Sequence, residues 1–138
     1  MKIRIVLDTN VLISALLFGG NPRKILELVL AEKIHLLSSP EILKETEGVL
    51  SRPKFKLKKS AVKSMMKELE DICEIVYPSK HFKVVDEDPE DDMLFDCAYA
   101  GNADFIISGN DHVVKVKSFQ DAKVLFPADF LSKISKHI

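Results

Sequence analysis

Only two cysteines occur, Cys73 and Cys97, with no Cys-x-x-Cys spacing and no histidine cluster beside either. That excludes a disulfide framework, a zinc knuckle and a thioredoxin-type redox pair, and leaves two reduced core thiols. Glycine and proline are scarce, five and six in 138 residues, which excludes a collagen-like or low-complexity chain. Long apolar runs are missing too. Val11–Phe18 is broken by Ser14 and closed by Gly19-Gly20, short of the roughly 18 to 20 residues a membrane-spanning helix needs, so no membrane association is expected. The opening segment Met1–Asp8 alternates in polarity and places an acid where a signal peptide would stay apolar. A cytoplasmic location is therefore expected. With no internal repeat or linker, and with 46% apolar and 30% charged residues, residues 1–138 are expected to form a single domain with a substantial core.

The formal net charge of -1 conceals two blocks of opposite sign. Arg52, Lys54, Lys56, Lys58, Lys59, Lys63 and Lys67 follow one another without an intervening acid. Asp86, Glu87, Asp88, Glu90, Asp91, Asp92 and Asp96 follow one another without an intervening base. Taken alone, the first block reads as a solvated face, because phosphate binding needs such residues but cannot be inferred from them. The second exceeds what a helix start explains, since first-turn acids gain only ~0.3–1 kcal/mol each from the helix dipole. Like charge concentrated in this way invites a cationic partner.

Hydrophobic patterning alternates between strand and helix. Ile3–Leu7 has the β-branched content of a buried strand ending at Asp8, and Asn10–Phe18 reads as a helix stopped by Gly19-Gly20. Asn21-Pro22 signals another helix, with Asn as cap and Pro at the first helical position. Ile34–Leu37 is a second strand, and Ser39-Pro40-Glu41 opens a helix through Leu50 that stops near Pro53. Val62, Met65, Met66 and Leu69 recur at helical spacing, and Ile72–Tyr77 is read as a third strand rather than as an extension of that helix. Asp88-Pro89 opens a helix that ends at Gly101; Phe105–Ile107 and Val124–Phe126 are strands, and a closing helix begins near Ala128. The alternation predicts an α/β fold, three layers α/β/α around a central parallel sheet, with any ligand site beyond the carboxyl ends of the strands.

Asp8 ends the first strand and is the sharpest clue. Glu45 falls in an i, i+3, i+7 row with Ile42 and Val49, so it flanks an apolar stripe. Asp92, just before Met93 and Leu94, is placed to face inward while Glu90 and Asp91 face solvent. Each has an alternative role: Asp8-Thr9-Asn10 as a helix cap, Glu45 as a surface charge, Asp92 as a partner of the helix dipole. Three acids converging without basic partners would instead hold a hard, oxygen-ligated cation, Mg²⁺ or Mn²⁺.

Four segments resemble the PIN-domain family in the same order. Ile5-Val6-Leu7-Asp8-Thr9-Asn10-Val11-Leu12 is similar to its opening strand and first acid, and Ser38-Ser39-Pro40-Glu41-Ile42-Leu43-Lys44-Glu45 to its second. Asp88-Pro89-Glu90-Asp91-Asp92, followed by Cys97-Ala98, is similar to its third, and Ala103-Asp104-Phe105-Ile106-Ile107-Ser108-Gly109-Asn110 to its final strand and turn. Within the family the chain resembles the small stand-alone toxins of the VapC type. The resemblance implies metal-binding and catalytic roles for Asp8, Glu45 and Asp92, with Thr9, Asn10 and Ser108 as polar supports. The family's fourth acid falls at Asn110 here, with Asp111 next to it; Asn110 can ligate or hold a water, and Asp111 can substitute if the turn is shifted.

By the same resemblance the chain is an Mg²⁺- or Mn²⁺-dependent ribonuclease, with an RNA substrate, a small antitoxin protein as partner and a homodimeric state. In such an enzyme the ion orients and acidifies a water for in-line attack while a carboxylate accepts the proton. Arg52, Lys54, Lys56, Lys58 and Lys59 then become candidates for gripping the RNA backbone, and Phe55 is either packing or a base-stacking ring. The first alternative is a catalytically weak module that binds RNA or protein, motivated by Asn110. A phosphoaspartate enzyme of the haloacid dehalogenase type is disfavoured, because Asp8-Thr9-Asn10 lacks the second acid of Asp-x-Asp. His35, His81, His112 and His137 are scattered without ligand spacing and read as surface or core residues, although His112 falls near the expected site.

Overall fold

The structure is a computed structural model that describes residues 2–86 and 88–136; Glu87 of the acidic run and His137 lie outside the described residues. Strands β1 (Ile3–Leu7), β2 (Ile34–Ser38), β3 (Cys73–Ile75), β4 (Phe105–Ile107), β5 (Ser118–Phe119) and β6 (Ala122–Leu125) form one six-stranded sheet in the order β3-β2-β1-β4-β6-β5. Pairing is parallel throughout except for the β5–β6 hairpin at one edge. Ile5, Val6, Leu7, Leu36, Leu37, Ile106 and Ile107 are at most 1% exposed, as central strands covered on both faces require.

Helices α1 (Thr9–Leu17), α2 (Gly20–Leu30), α3 (Pro40–Leu50), α4 (Lys59–Ile72), α5 (Asp92–Gly101), α6 (Asp111–Val114) and α7 (Pro127–Ile134) link and close the strands. The chain steps from β1 out to β3 and then returns past β1 to β4. Right-handed crossovers therefore put α1 to α4 on one face and α5 on the other, where it packs across β1, β2 and β4. This is the three-layer α/β/α arrangement read from the alternation. The reversal between β1 and β4 is the topological switch point, where such sheets open a crevice at their carboxyl edge. Gly101 permits the closest approach of α5 to the sheet, because a Cβ there would stand 2.7 Å from Leu37 Cδ1.

The differences from the sequence reading lie at element ends. Helix α2 starts at Gly20, whose φ of +70° needs glycine, so Asn21 does not cap it and Pro22 falls within its first turn. Proline is tolerated there because first-turn N–H groups have no helical partner. The third strand covers only Cys73–Ile75 of the expected Ile72–Tyr77. The last parallel strand starts earlier than Val124, and the two-residue edge strand Ser118–Phe119 turns back onto it through Gln120, which takes a left-handed φ of 54°. The helix expected from Asp88-Pro89 begins with a 3₁₀ turn, Pro89–Asp91, and becomes α-helical only at Asp92. Among the described residues no helix is long and apolar enough to cross a membrane.

Candidate active site

Asp8 leaves β1 at the switch point and is 5% exposed. Its backbone N–H donates to Ile107 O at 2.9 Å, which fixes it against the end of β4. One residue beyond β4, the fully buried Ser108 hydroxyl donates to Asp8 Oδ2 at 2.6 Å and accepts from the Asn110 N–H at 3.0 Å. Burial pushes the Asp8 carboxyl above its ordinary range; Ser108 and the Thr9 and Asn10 N–H groups at the start of α1 pull it down, and the charge of Asp88 pushes it further up.

Glu45 reaches the same region from α3. Its carboxyl is also raised, first by burial and then by the charges of Asp8, Glu90 and Asp88, while the Thr9 hydroxyl opposes the shift. Thr9 Oγ1 is buried and closes no hydrogen bond among the described residues. The third carboxylate is Asp91. Burial, followed by the charges of Asp8, Asp88, Glu45 and Asp92, drives its pKa up to about 7. Its Oδ2 accepts from Asn110 Nδ2 at 3.2 Å.

Asp92, expected to face inward, is engaged by backbone donors instead. Asp92 Oδ1 accepts the N–H groups of Val84 and Val85 at 2.9 and 2.8 Å, so this carboxylate anchors the segment before the helix while Asp91 faces Asp8 and Glu45. The reason is the 3₁₀ turn. At three residues per turn it advances about 120° per residue, so the inward face extrapolated back from Met93 and Leu94 at α-helical spacing falls on Asp92, whereas Asp91 is the acid turned toward Asp8. Asp88, which the sequence reading used only as a helix opener, caps that turn by accepting the Glu90 N–H at 3.2 Å and adds charge against all three central acids. The signal that could have revealed the offset is the proline at the first position of a turn already capped by Asp88.

At the fourth position the turn is not shifted. Asn110 caps α6 through Oδ1, which accepts the His112 N–H at 2.8 Å, and turns its Nδ2 to Asp91, while Asp111 is exposed in the first turn of α6. Asn10 is exposed beside Asp8 and lines a groove of about 650 Å³ with Leu17, Phe18, Phe55, Arg52 and Lys54. Phe18 is 67% exposed there, its ring centroid 6.5 Å from that of Phe55, and Lys54 Nζ stands 5.0 Å over the Phe55 ring. Lys56, Lys58 and Lys59 are exposed but do not line this groove; Lys59 borders a separate hollow with Lys44 and Lys63.

The donor set is chemically suited to a hard divalent cation: three carboxylates of raised pKa, a buried unsatisfied hydroxyl and an amide. As placed, however, no three Asp, Glu, His or Cys side chains among the described residues stand in a coordinating arrangement. Side-chain rotation would have to bring them to a common point.

The carboxylate cluster lies at the switch point of a doubly covered α/β sheet, where such folds open their ligand sites. A model described as a PIN domain matches residues 4–112, and the chain belongs to the PIN-domain family, whose members are generally nucleases. It is similar to the uncharacterised protein MJ1680 of Methanocaldococcus jannaschii, 31% identical over 150 aligned positions that cover all of this chain and 96% of that protein. Among solved structures, PAE2754 from Pyrobaculum aerophilum shares the fold with a TM-score of 0.63 at 11% identity, over 97% of this chain and 90% of that one. VapBC2 from Rickettsia felis, solved bound to a DNA fragment from its promoter, also has a TM-score of 0.63, at 20% identity, over 90% of this chain and 98% of that one.

Proposed function

We propose that the chain is a metal-dependent endoribonuclease that hydrolyses RNA phosphodiester bonds, with Asp8, Glu45 and Asp91 as its central acids. The observation that carries this reading is that these three carboxylates lie within reach of one another's charge at the switch point, each raised by burial and by its neighbours. Mg²⁺ or Mn²⁺ held by them would supply charge neutralisation and a water of lowered pKa, beside an Asn110 whose Oδ1 is taken up by the His112 N–H. Ser108 orients Asp8 through its 2.6 Å hydrogen bond, and Asn110 orients Asp91. Thr9 supports Glu45, and Asn10 borders the groove that leads away from Asp8.

Arg52 and Lys54 line that groove and suit phosphate contacts, with Phe18 and Phe55 offering ring faces to unpaired bases. Lys56, Lys58 and Lys59 extend the positive field beyond it. A VapC-like toxin role in the cytoplasm, as a homodimer neutralised by a small antitoxin, is supported by family membership and by the fold shared with VapBC2. The second reading is a module that binds RNA without cutting it; it is favoured by an amide at the fourth position, where Asn110 contributes no charge.

The test is incubation of structured and single-stranded RNAs with Mg²⁺, Mn²⁺ or a chelator, with Asp8→Asn as control. Metal-dependent cleavage lost in the control is the expected result. RNA that is bound but left intact with every metal decides for the binding module.

A further inference from the structure

One titratable side chain outside the acidic centre is held in a defined pose. Residues 76–86 run without regular structure from β3 toward the Pro89–Asp91 turn, and α5 pins them with two carboxylates one helical turn apart. Asp92 takes the Val84 and Val85 N–H groups, and Asp96 Oδ1 takes the Phe82 N–H at 2.8 Å. The Phe82 ring locks between Tyr99 and Phe119, each at 5.1 Å. This strap carries His81, whose Nδ1 lies 3.0 Å from Asp96 Oδ2.

Asp96 is 7% exposed, whereas the His81 side chain is 72% exposed. A buried carboxylate with both oxygens engaged acts as acceptor, so Nδ1 carries a proton and Nε2 is the ring nitrogen left free to act. The ring lines a cavity of about 630 Å³ that Glu45 also lines. The charged residues that line this cavity with it are Glu41, Lys44 and Glu45 from α3, Glu90 from the 3₁₀ turn, and Asp92 and Asp96 from α5.

We propose that His81 donates a proton to the leaving oxygen of the scissile phosphodiester, with Asp96 as its positioning residue. The proposal rests on the nuclease reading above. In the step, a water oxygen bonds to phosphorus, the bond from phosphorus to the bridging oxygen breaks, and the bridging oxygen keeps the electron pair. That oxygen takes the proton from Nε2 of the imidazolium, the attacking water releases its own proton to solvent, and the imidazole is reprotonated from solvent. Hydrolysis thus yields a phosphomonoester and an alcohol. The need is chemical: central acids held ionised by a cation accept rather than donate, an alkoxide leaves poorly, and imidazole is a side chain suited to proton transfer near neutral pH.

The full chain is assayed as wild type and His81→Gln on an RNA oligonucleotide, and on the same RNA with sulfur replacing the bridging oxygen at the bond the wild type cuts. A thiolate leaves without protonation. His81→Gln is expected to melt with the wild type, to lose roughly 10²-fold or more in kcat on the oxygen-linked RNA, and to regain near-wild-type cleavage of the sulfur-linked RNA. Asp96→Asn, which keeps an acceptor for Phe82, is expected to lower kcat with little change in KM. Equal kcat for His81→Gln and wild type, or equal loss on both RNAs, overturns the assignment while leaving the nuclease reading intact. A wild type that cuts no RNA with any divalent metal overturns both.

Discussion

Asp91 and Asp92 are adjacent acids in one charged run, and the fold treats them oppositely. Asp91 turns toward Asp8 and Glu45 and takes one amide hydrogen bond at 3.2 Å; its carboxyl rises to about 7. Asp92 turns toward the strap and takes two backbone N–H groups at 2.9 and 2.8 Å. Asp96, one turn further on, is likewise met by a backbone N–H and by His81. The lesson is that acid density alone does not mark a centre. Carboxylates that take the backbone N–H groups of a neighbouring segment hold the chain together, and carboxylates that raise one another's pKa by their mutual charge are the ones a cation would relieve.

The largest expected effect separates the neighbours by activity. Asp8→Asn and Asp91→Asn should each lower RNA cleavage by roughly 10²–10³-fold, while Asp92→Asn, which keeps an acceptor oxygen for Val84 and Val85, should stay within several-fold of wild type. Cleavage lost equally in Asp91→Asn and Asp92→Asn would erase the distinction. Truncation should then reverse the order for stability. Asp92→Ala strands two N–H groups and is expected to cost ~1–3 kcal/mol, a fall in Tm of several degrees, whereas Asp91→Ala relieves repulsion and should leave Tm unchanged or higher.

The pH dependence sharpens the same contrast. Between the ordinary aspartate pKa of 3.8 and about 7, the folded chain holds a proton on Asp91 that the unfolded chain has released. Stability of the metal-free protein therefore falls as pH rises through that window and levels off above it, with the raised carboxyls of Asp8 and Glu45 acting in the same direction. Melting in chelator from about pH 4.5 to about pH 8 should show this decline, and Asp91→Asn should flatten it. The smallest effect concerns Thr9, whose buried hydroxyl closes no hydrogen bond among the described residues. Thr9→Val is expected to change metal-free stability by less than ~1 kcal/mol in denaturant titration, since the buried hydroxyl it removes closes no such bond and only its polarity near Glu45 is lost.

Much of the fold was legible in the sequence because strand and helix periods alternate cleanly from Ile3 to Gly101 and the central strands are apolar on both faces. Asp8 and Ser108 were readable as strand-end residues, and Glu45 from its place beside the Ile42–Val49 stripe. Asp91 was not, because a 3₁₀ first turn rotates side chains away from α-helical positions and leaves no hydrophobic period by which to detect it. His81 was equally hidden. It sits on an irregular strap whose course is set by Asp92 and Asp96, hydrogen bonds that sequence spacing does not encode.

The most direct test is calorimetric titration of Mn²⁺ into the wild type, Asp91→Asn and Asp92→Asn at pH 8 under one salt condition. The account predicts at least a tenfold loss of affinity in Asp91→Asn and wild-type affinity in Asp92→Asn. Binding that survives in Asp91→Asn and disappears in Asp92→Asn would contradict it.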